Sequence, residues 1–219
     1  MSEESASTRW AAGIFPLWIL VAVCVGIEGV LTLADYSIIE PRNLRIRVYD
    51  YAGFWSGLLG PWEPNYPAQP YSMFLTYGFL HSGPSHLIVN MLTLWTAGKI
   101  VIDRVGSKGF LMLYGASIVG GGIGYGLLAP TLAPMVGASG ALFGLIGGLL
   151  SWNYVDRYSV NEALWPVARG ALFLVALNVV LWWAMDGLLA WQTHLGGFIT
   201  GWFVALLIDP RPVEPDETK

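Results

Sequence analysis

A serine, three histidines and an asparagine sit in this sequence where their chemistry is at odds with their neighbours. Ser139 lies in Gly137-Ala138-Ser139-Gly140-Ala-Leu-Phe143-Gly144, a glycine-framed hydroxyl where a loop gives way to a long apolar run. His194 lies in Trp191-Gln-Thr-His194-Leu-Gly-Gly197, inside another apolar run. His81 and His86 flank the turn Ser82-Gly-Pro-Ser85. Asn90 follows His86 by four residues, so the two project from one helix face. Polar side chains in an apolar setting are costly unless they face a cavity or each other. One water-accessible pocket holding Ser139, His194, His86 and Asn90 is the economical arrangement.

Such a pocket can do acyl-transfer chemistry. A serine hydroxyl is a poor nucleophile until a base takes its proton, and neutral imidazole is the usual base. His194 has no acidic neighbour on its own run to pair with, which makes it the candidate base. Backbone N–H groups at a helix start, those of Ala138 and Ser139, can receive a developing oxyanion. The amide of Asn90 and the ring N–H of His86 can add donors. Gly137 and Gly140 let a substrate backbone come close. No Asp or Glu is placed to orient His194, so the reading is a Ser–His dyad and not a triad.

Each piece alone has a plainer reading. A Gly-x-Ser-Gly stretch can simply pack helices. A histidine in an apolar run can be a hydrogen-bonded packing residue, and His86 with Asn90 can clasp two helices. A Ser, His and Asn set can also line a transporter path. His86 and Asn90 are too few and wrongly spaced for a metal site. Phe143, one turn after Ser139, is ordinary core by default; in the catalytic reading its ring packs on His194.

The elements that must position these residues are apolar helices. Of 219 residues, 55% are hydrophobic and 12% charged, against roughly 25% charged in a soluble domain. A bilayer is the solvent this composition calls for. The 11 Trp and 10 Tyr suit its interfaces. A net charge of −4 without a basic stripe excludes nucleic acid as a partner. Cys24 is the single cysteine, so no internal disulfide forms.

Apolar runs predict spans at 12–33, 86–97, 108–129, 138–154, 165–185 and 188–208, an all-α six-span membrane domain over 12–209. Tails at 1–11 and 210–219 are polar. Glu28, near the outer end of the first span, reads as an interfacial carboxyl. Residues 35–72 carry charges, prolines and aromatics and predict a long interfacial loop with amphipathic pieces. Gly120-Gly121-Gly122 reads as a flexible point in the third span. Rows of small residues, Gly140-Gly144-Gly148 and Gly197-Gly201, predict that the fourth and sixth spans pack backbone to backbone. That packing brings Ser139 to His194.

With six spans both termini share a side. Arg9, Lys99, Arg104, Lys108, Arg157, Arg169, Arg211 and Lys219 fall on it, against Arg42, Arg45 and Arg47 opposite. The bias puts the termini in the cytoplasm and the loop before Ser139 outside. Met1 to Arg9 has Glu3, Glu4 and one arginine, unlike a transit peptide, so the expected location is the cell membrane.

Together these residues resemble the rhomboid intramembrane serine proteases. The resemblance runs over roughly 73–209 and rests on three pieces. His81-Ser-Gly-Pro-Ser-His86-Leu-Ile-Val-Asn90 is similar to the family's H-x4-H-x3-N, Gly137-Ala-Ser139-Gly140 to its G-x-S-G, and His194-Leu-Gly-Gly197-Phe-Ile-Thr-Gly201 to its catalytic-histidine helix. The resemblance implies a six-helix core with a water-filled cavity open to the outside. It implies Ser139 as nucleophile, His194 as general base, and His86 and Asn90 at the oxyanion. It also implies Phe143 stacked on the histidine, and no metal or cofactor. The first loop would be a hairpin half embedded in lipid, and the fifth span with Asp186 to Leu189 a mobile gate and cap. Ser72 and Met73 stand where many members carry Trp-Arg, and Ile102 stands where an acidic residue is usual, with Asp103 next to it. Both changes bear on the packing of the first loop.

The expected function is an intramembrane serine endopeptidase. It cuts single-span membrane proteins within or near the outer part of their transmembrane helix. The alternatives are a rhomboid-like binder of transmembrane helices that does not cut, and a small transporter.

Overall fold

The computed structural model describes residues 13–129 and 133–209; the predicted tails at 1–11 and 210–219 lie outside the described residues. Among the described residues the chain is all-helical, with no β-strand. Helix α1 is Phe15–Asp35. Two short helices follow, α2 at Leu44–Ala52 and α3 at Gln69–Thr76. The bundle is completed by α4 (Pro84–Leu128), α5 (Ser139–Ser159), α6 (Trp165–Ala184) and α7 (Trp191–Ile208). Proline occupies one of the first two positions of α1, α3, α4 and α6, where its missing N–H costs nothing.

Helix α4 is two arms in one. Gly106 takes φ 70° and ψ 177°, outside the helical region, and the chain changes direction there. Gly120, Gly121 and Gly122, which composition reads as flexible, continue the second arm unbroken and buried. They lie against Thr200, Tyr77 and the Phe54–Phe74 pair, so their small size serves packing.

The core sits around α5. A Cβ on Gly197 would collide with the carbonyl of Gly140, and one on Gly201 with that of Gly144, so α5 and α7 touch backbone to backbone. The other flank of α5 packs on the second arm of α4, Gly144 lying against Ser117. Trp152 is buried and donates its indole N–H to the carbonyl of Ala205, 3.0 Å away. Large apolar side chains point outward, among them Trp18, Leu172, Phe173, Trp183 and Leu207. Helices α1, α4 and α6 are long and apolar enough to cross a membrane.

The segment between α1 and α4 is held by specific bonds. Glu28 is buried at 1% exposure within the protein. Its two carboxylate oxygens accept from Arg45 of α2 at 2.7 and 2.9 Å. Arg45 also donates to Asp35 at 2.7 Å and to the backbone carbonyl of His81 at 2.8 Å. The hydrogen bonds it donates to Glu28 hold the Arg45 guanidinium charged, its pKa pushed above the ordinary arginine value. At the positions departing from the family pattern, Met73 is buried and Ser72 bonds the hydroxyl of Tyr66 at 2.8 Å. Ile102 is buried as well. Phe54 and Met135 exchange two backbone bonds, 3.0 and 2.9 Å, tying this segment to the loop before Ser139.

Candidate active site

Ser139 is the first residue of α5, so its hydroxyl and the unpaired N–H groups of the first turn share one end of the helix. No side chain caps that end. Gly137 makes the turn into it with φ 134°, a conformation that suits glycine, and its N–H donates to the carbonyl of Tyr77 at 3.0 Å.

His194 comes from α7, 55 residues on, and is 6% exposed. Its Nε2 lies 2.9 Å from Ser139 Oγ. The ring of Phe143 stacks on it with centroids 4.1 Å apart and planes 4° from parallel. Its Nδ1 lies 2.6 Å from Oδ1 of Asn178, a residue of α6 that the sequence reading leaves unassigned. The signal was a lone amide in an apolar helix, a polar group that needs a partner.

These bonds have a direction. The Asn178 amide nitrogen donates to the Leu174 carbonyl at 2.8 Å, and a carbonyl can only accept. That turns Oδ1 toward His194, so Nδ1 carries the proton and donates. Nε2 is then bare and accepts the Ser139 hydroxyl. The hydroxyl therefore faces the unprotonated nitrogen of the imidazole.

His86 is set in the opposite sense. The backbone N–H of Ser82 donates to its Nδ1 at 3.3 Å, with the Ser82 hydroxyl 3.0 Å from the same atom. Its proton therefore resides on Nε2. A Cβ built on Gly137 would lie 3.1 Å from that Nε2 and 3.8 Å from Ser139 Oγ. The space glycine leaves open is thus shared by the His86 donor and the serine oxygen. Asn90 is buried and donates to the carbonyl of His86 at 2.8 Å, which leaves its second N–H uncommitted by that bond. The ring of His81 meets that of His86 edge-on at 5.3 Å. His81 is fully buried, and its carbonyl, not its ring, carries bonds, from Arg45 and from Tyr49 Oη at 2.6 Å. Gly140, Gly197 and Gly201 serve the contact between α5 and α7. Among the described residues no group of three or more His, Cys, Asp and Glu is placed to hold a metal ion.

Comparison with known proteins bears on the family. The chain is 34% identical over 131 residues to Rhomboid protease GluP of Bacillus subtilis (strain 168), covering 60% of this chain and 25% of that protein. It is 32% identical over 149 residues to Rhomboid protein 1, mitochondrial, of Saccharomyces cerevisiae, covering 61% and 42%. It is 34% identical over 140 residues to RHOMBOID-like protein 4 of Arabidopsis thaliana, covering 63% and 34%. The chain thus spans less than half the length of these relatives. A model of the Rhomboid domain matches residues 68–211, from just before α3 to just past the end of α7, and the chain belongs to the rhomboid family of multi-pass membrane proteins.

Proposed function

We propose that this protein is an intramembrane serine endopeptidase in which Ser139 is the nucleophile and His194 the general base. The observation that carries the reading is the 2.9 Å contact between Ser139 Oγ and His194 Nε2. Ser139 attacks the scissile carbonyl carbon while His194 Nε2 takes the hydroxyl proton. The carbonyl oxygen becomes an oxyanion over Gly137, where His86 Nε2–H, the free N–H of Asn90 and the backbone at Ala138 and Ser139 receive it. The intermediate collapses as His194 returns the proton to the leaving amine, leaving an acyl-serine. Water, deprotonated by His194, attacks that ester and releases the acid, and Ser139 recovers its proton.

The bundle crosses the bilayer six times: α1, the two arms of α4, α5, α6 and α7. The first loop lies in the interface. The termini face the cytoplasm and the Ser139 end faces the outer side of the cell membrane. Substrates are single-span membrane proteins, cut within or near the outer part of the transmembrane helix. A helical peptide bond is shielded by its own hydrogen bonds, so small or helix-breaking residues favour the unwinding that exposes it. The hydrolysis uses no metal or cofactor.

Reconstitution in liposomes with a purified single-span model substrate tests the reading. Wild type should cleave, and Ser139→Ala and His194→Ala should each lose about 10⁴-fold or more. Cleavage by either variant at the wild-type rate would sink it. A wild type that binds the substrate and leaves it whole would point instead to a non-cutting binder.

A further inference from the structure

Helix α6 is the least embedded of the long helices, with Val167 its one buried residue. It borders an apolar cavity of about 420 Å³ whose other wall is α7, with Phe143 of α5 at its edge. Every lining residue is apolar except Asn178 and His194, and these two are bonded to each other. A neutral amide in such a wall carries a desolvation cost unless both its ends are satisfied. Asn178 satisfies its nitrogen on Leu174 and its oxygen on His194.

An imidazole without a partner on Nδ1 exchanges between tautomers, and only the one with Nε2 bare can take a proton from Ser139. Phe143 fixes the plane of the ring, but stacking does not choose between its nitrogens. Among the described residues no carboxylate hydrogen-bonds to His194; its polar partners are Ser139 on one side and Asn178 on the other. On the far side of Ser139, the Cβ position of Gly137 lies 3.1 Å from Nε2 of His86 of α4 and 3.8 Å from Ser139 Oγ.

We propose that Asn178 is a positioning residue that fixes the tautomer and orientation of His194, so that the site works as a serine–histidine–asparagine relay with its third member on α6. This rests on the serine–histidine reading given above. The amide supplies no charge. Its Oδ1 accepts a hydrogen bond from Nδ1–H, which keeps the proton on Nδ1 and Nε2 bare, and it stabilises the imidazolium that forms when the serine proton arrives.

The test is the rate at which full-length protein in detergent micelles reacts with a fluorescent alkyl fluorophosphonate, resolved into maximal rate and half-saturation and measured across pH. Wild type and Ser139→Ala come first: a wild type no more reactive than Ser139→Ala overturns the serine–histidine reading and this proposal with it. Given a reactive wild type, Asn178→Ala should lower the maximal rate by at least about tenfold, a part of the ~10²–10⁴ a positioned base supplies. Half-saturation should stay within about twofold, because both polar ends of Asn178 are already bonded within the protein. Asn178→Asp should restore most of the rate and move the acid limb of the profile to higher pH, since a carboxylate there favours the imidazolium. Asn178→Ala reacting like wild type would overturn the proposal. So would a loss in Asn178→Ala that Asn178→Asp neither restores nor shifts in pH, which is the signature of a merely structural amide.

Discussion

The rings of Phe143 and His194 lie face to face, 4.1 Å between centroids and 4° from parallel. Phe143 is one turn below Ser139 on α5, so one helix carries both the hydroxyl and the surface on which the His194 ring stacks. Stacking of this kind is worth about 0.5–1.5 kcal/mol beyond buried area. Phe143→Ala should therefore slow fluorophosphonate labelling of Ser139 roughly two- to tenfold, and Phe143→Tyr should restore it. Equal labelling rates for Phe143→Ala and wild type would show that the stack does not hold the base.

Gly137 is the position where a single methyl should do the most harm. Its φ of 134° strains any L residue, and an added Cβ would sit 2.8 Å from His86 Cε1. That methyl would occupy the space proposed for the oxyanion. Gly137→Ala should lose about 10²–10³ in labelling rate, the usual cost of a damaged oxyanion site. Labelling of Gly137→Ala within about threefold of wild type would argue against an oxyanion site there.

Arg45 should be far more sensitive to truncation when Glu28 remains than when it is removed too. Glu28 is 1% exposed, and both of its oxygens are taken by Arg45. Removing one partner of a buried pair costs about 3–5 kcal/mol because the other charge is stranded. Arg45→Met should lower the Tm in detergent clearly, and adding Glu28→Leu should recover much of the loss. A double variant as unstable as Arg45→Met would show that the pair is not the tie between α1 and α2.

Much of the bundle is legible in the sequence because a membrane helix advertises itself. The apolar runs at 12–33 and 165–185 fall within a few residues of α1 and α6. The first arm of α4 outruns its apolar stretch of 86–97, since Lys99, Asp103 and Arg104 stay helical until Gly106 turns the chain. The rhomboid family is legible too, because its three pieces keep their order and spacing. What the sequence hides are contacts set by how helices lean. Asn178 meets His194 across 16 residues and Arg45 meets Glu28 across 17, separations no helical period encodes. An amide in α6 and a carboxyl in α1 announce that each needs a partner, and only the fold says which.

The glycine rows supply a prediction in which one substitution takes opposite signs at two places. In α1, a Cβ on Gly26 would meet nothing within 4 Å. Gly26→Ala therefore adds helix propensity without a clash, worth about 0.8–1 kcal/mol in a helix interior. In α7, a Cβ on Gly201 would run into the carbonyl of Gly144, which is backbone and cannot swing aside. Gly201→Ala must force α7 away from α5, and overpacking of this kind costs about 1–3 kcal/mol. The displacement also reaches the site, because Gly201 lies two turns below His194 on α7 while Gly144 lies just over one turn below Ser139 on α5. A hydrogen bond of 2.9 Å has little room to stretch before proton transfer fails. Gly26→Ala should hold or raise the Tm in detergent with labelling unchanged. Gly201→Ala should lower the Tm and slow labelling of Ser139 together. If Gly201→Ala melts and labels as wild type does, close packing of α5 on α7 is not what joins Ser139 to His194.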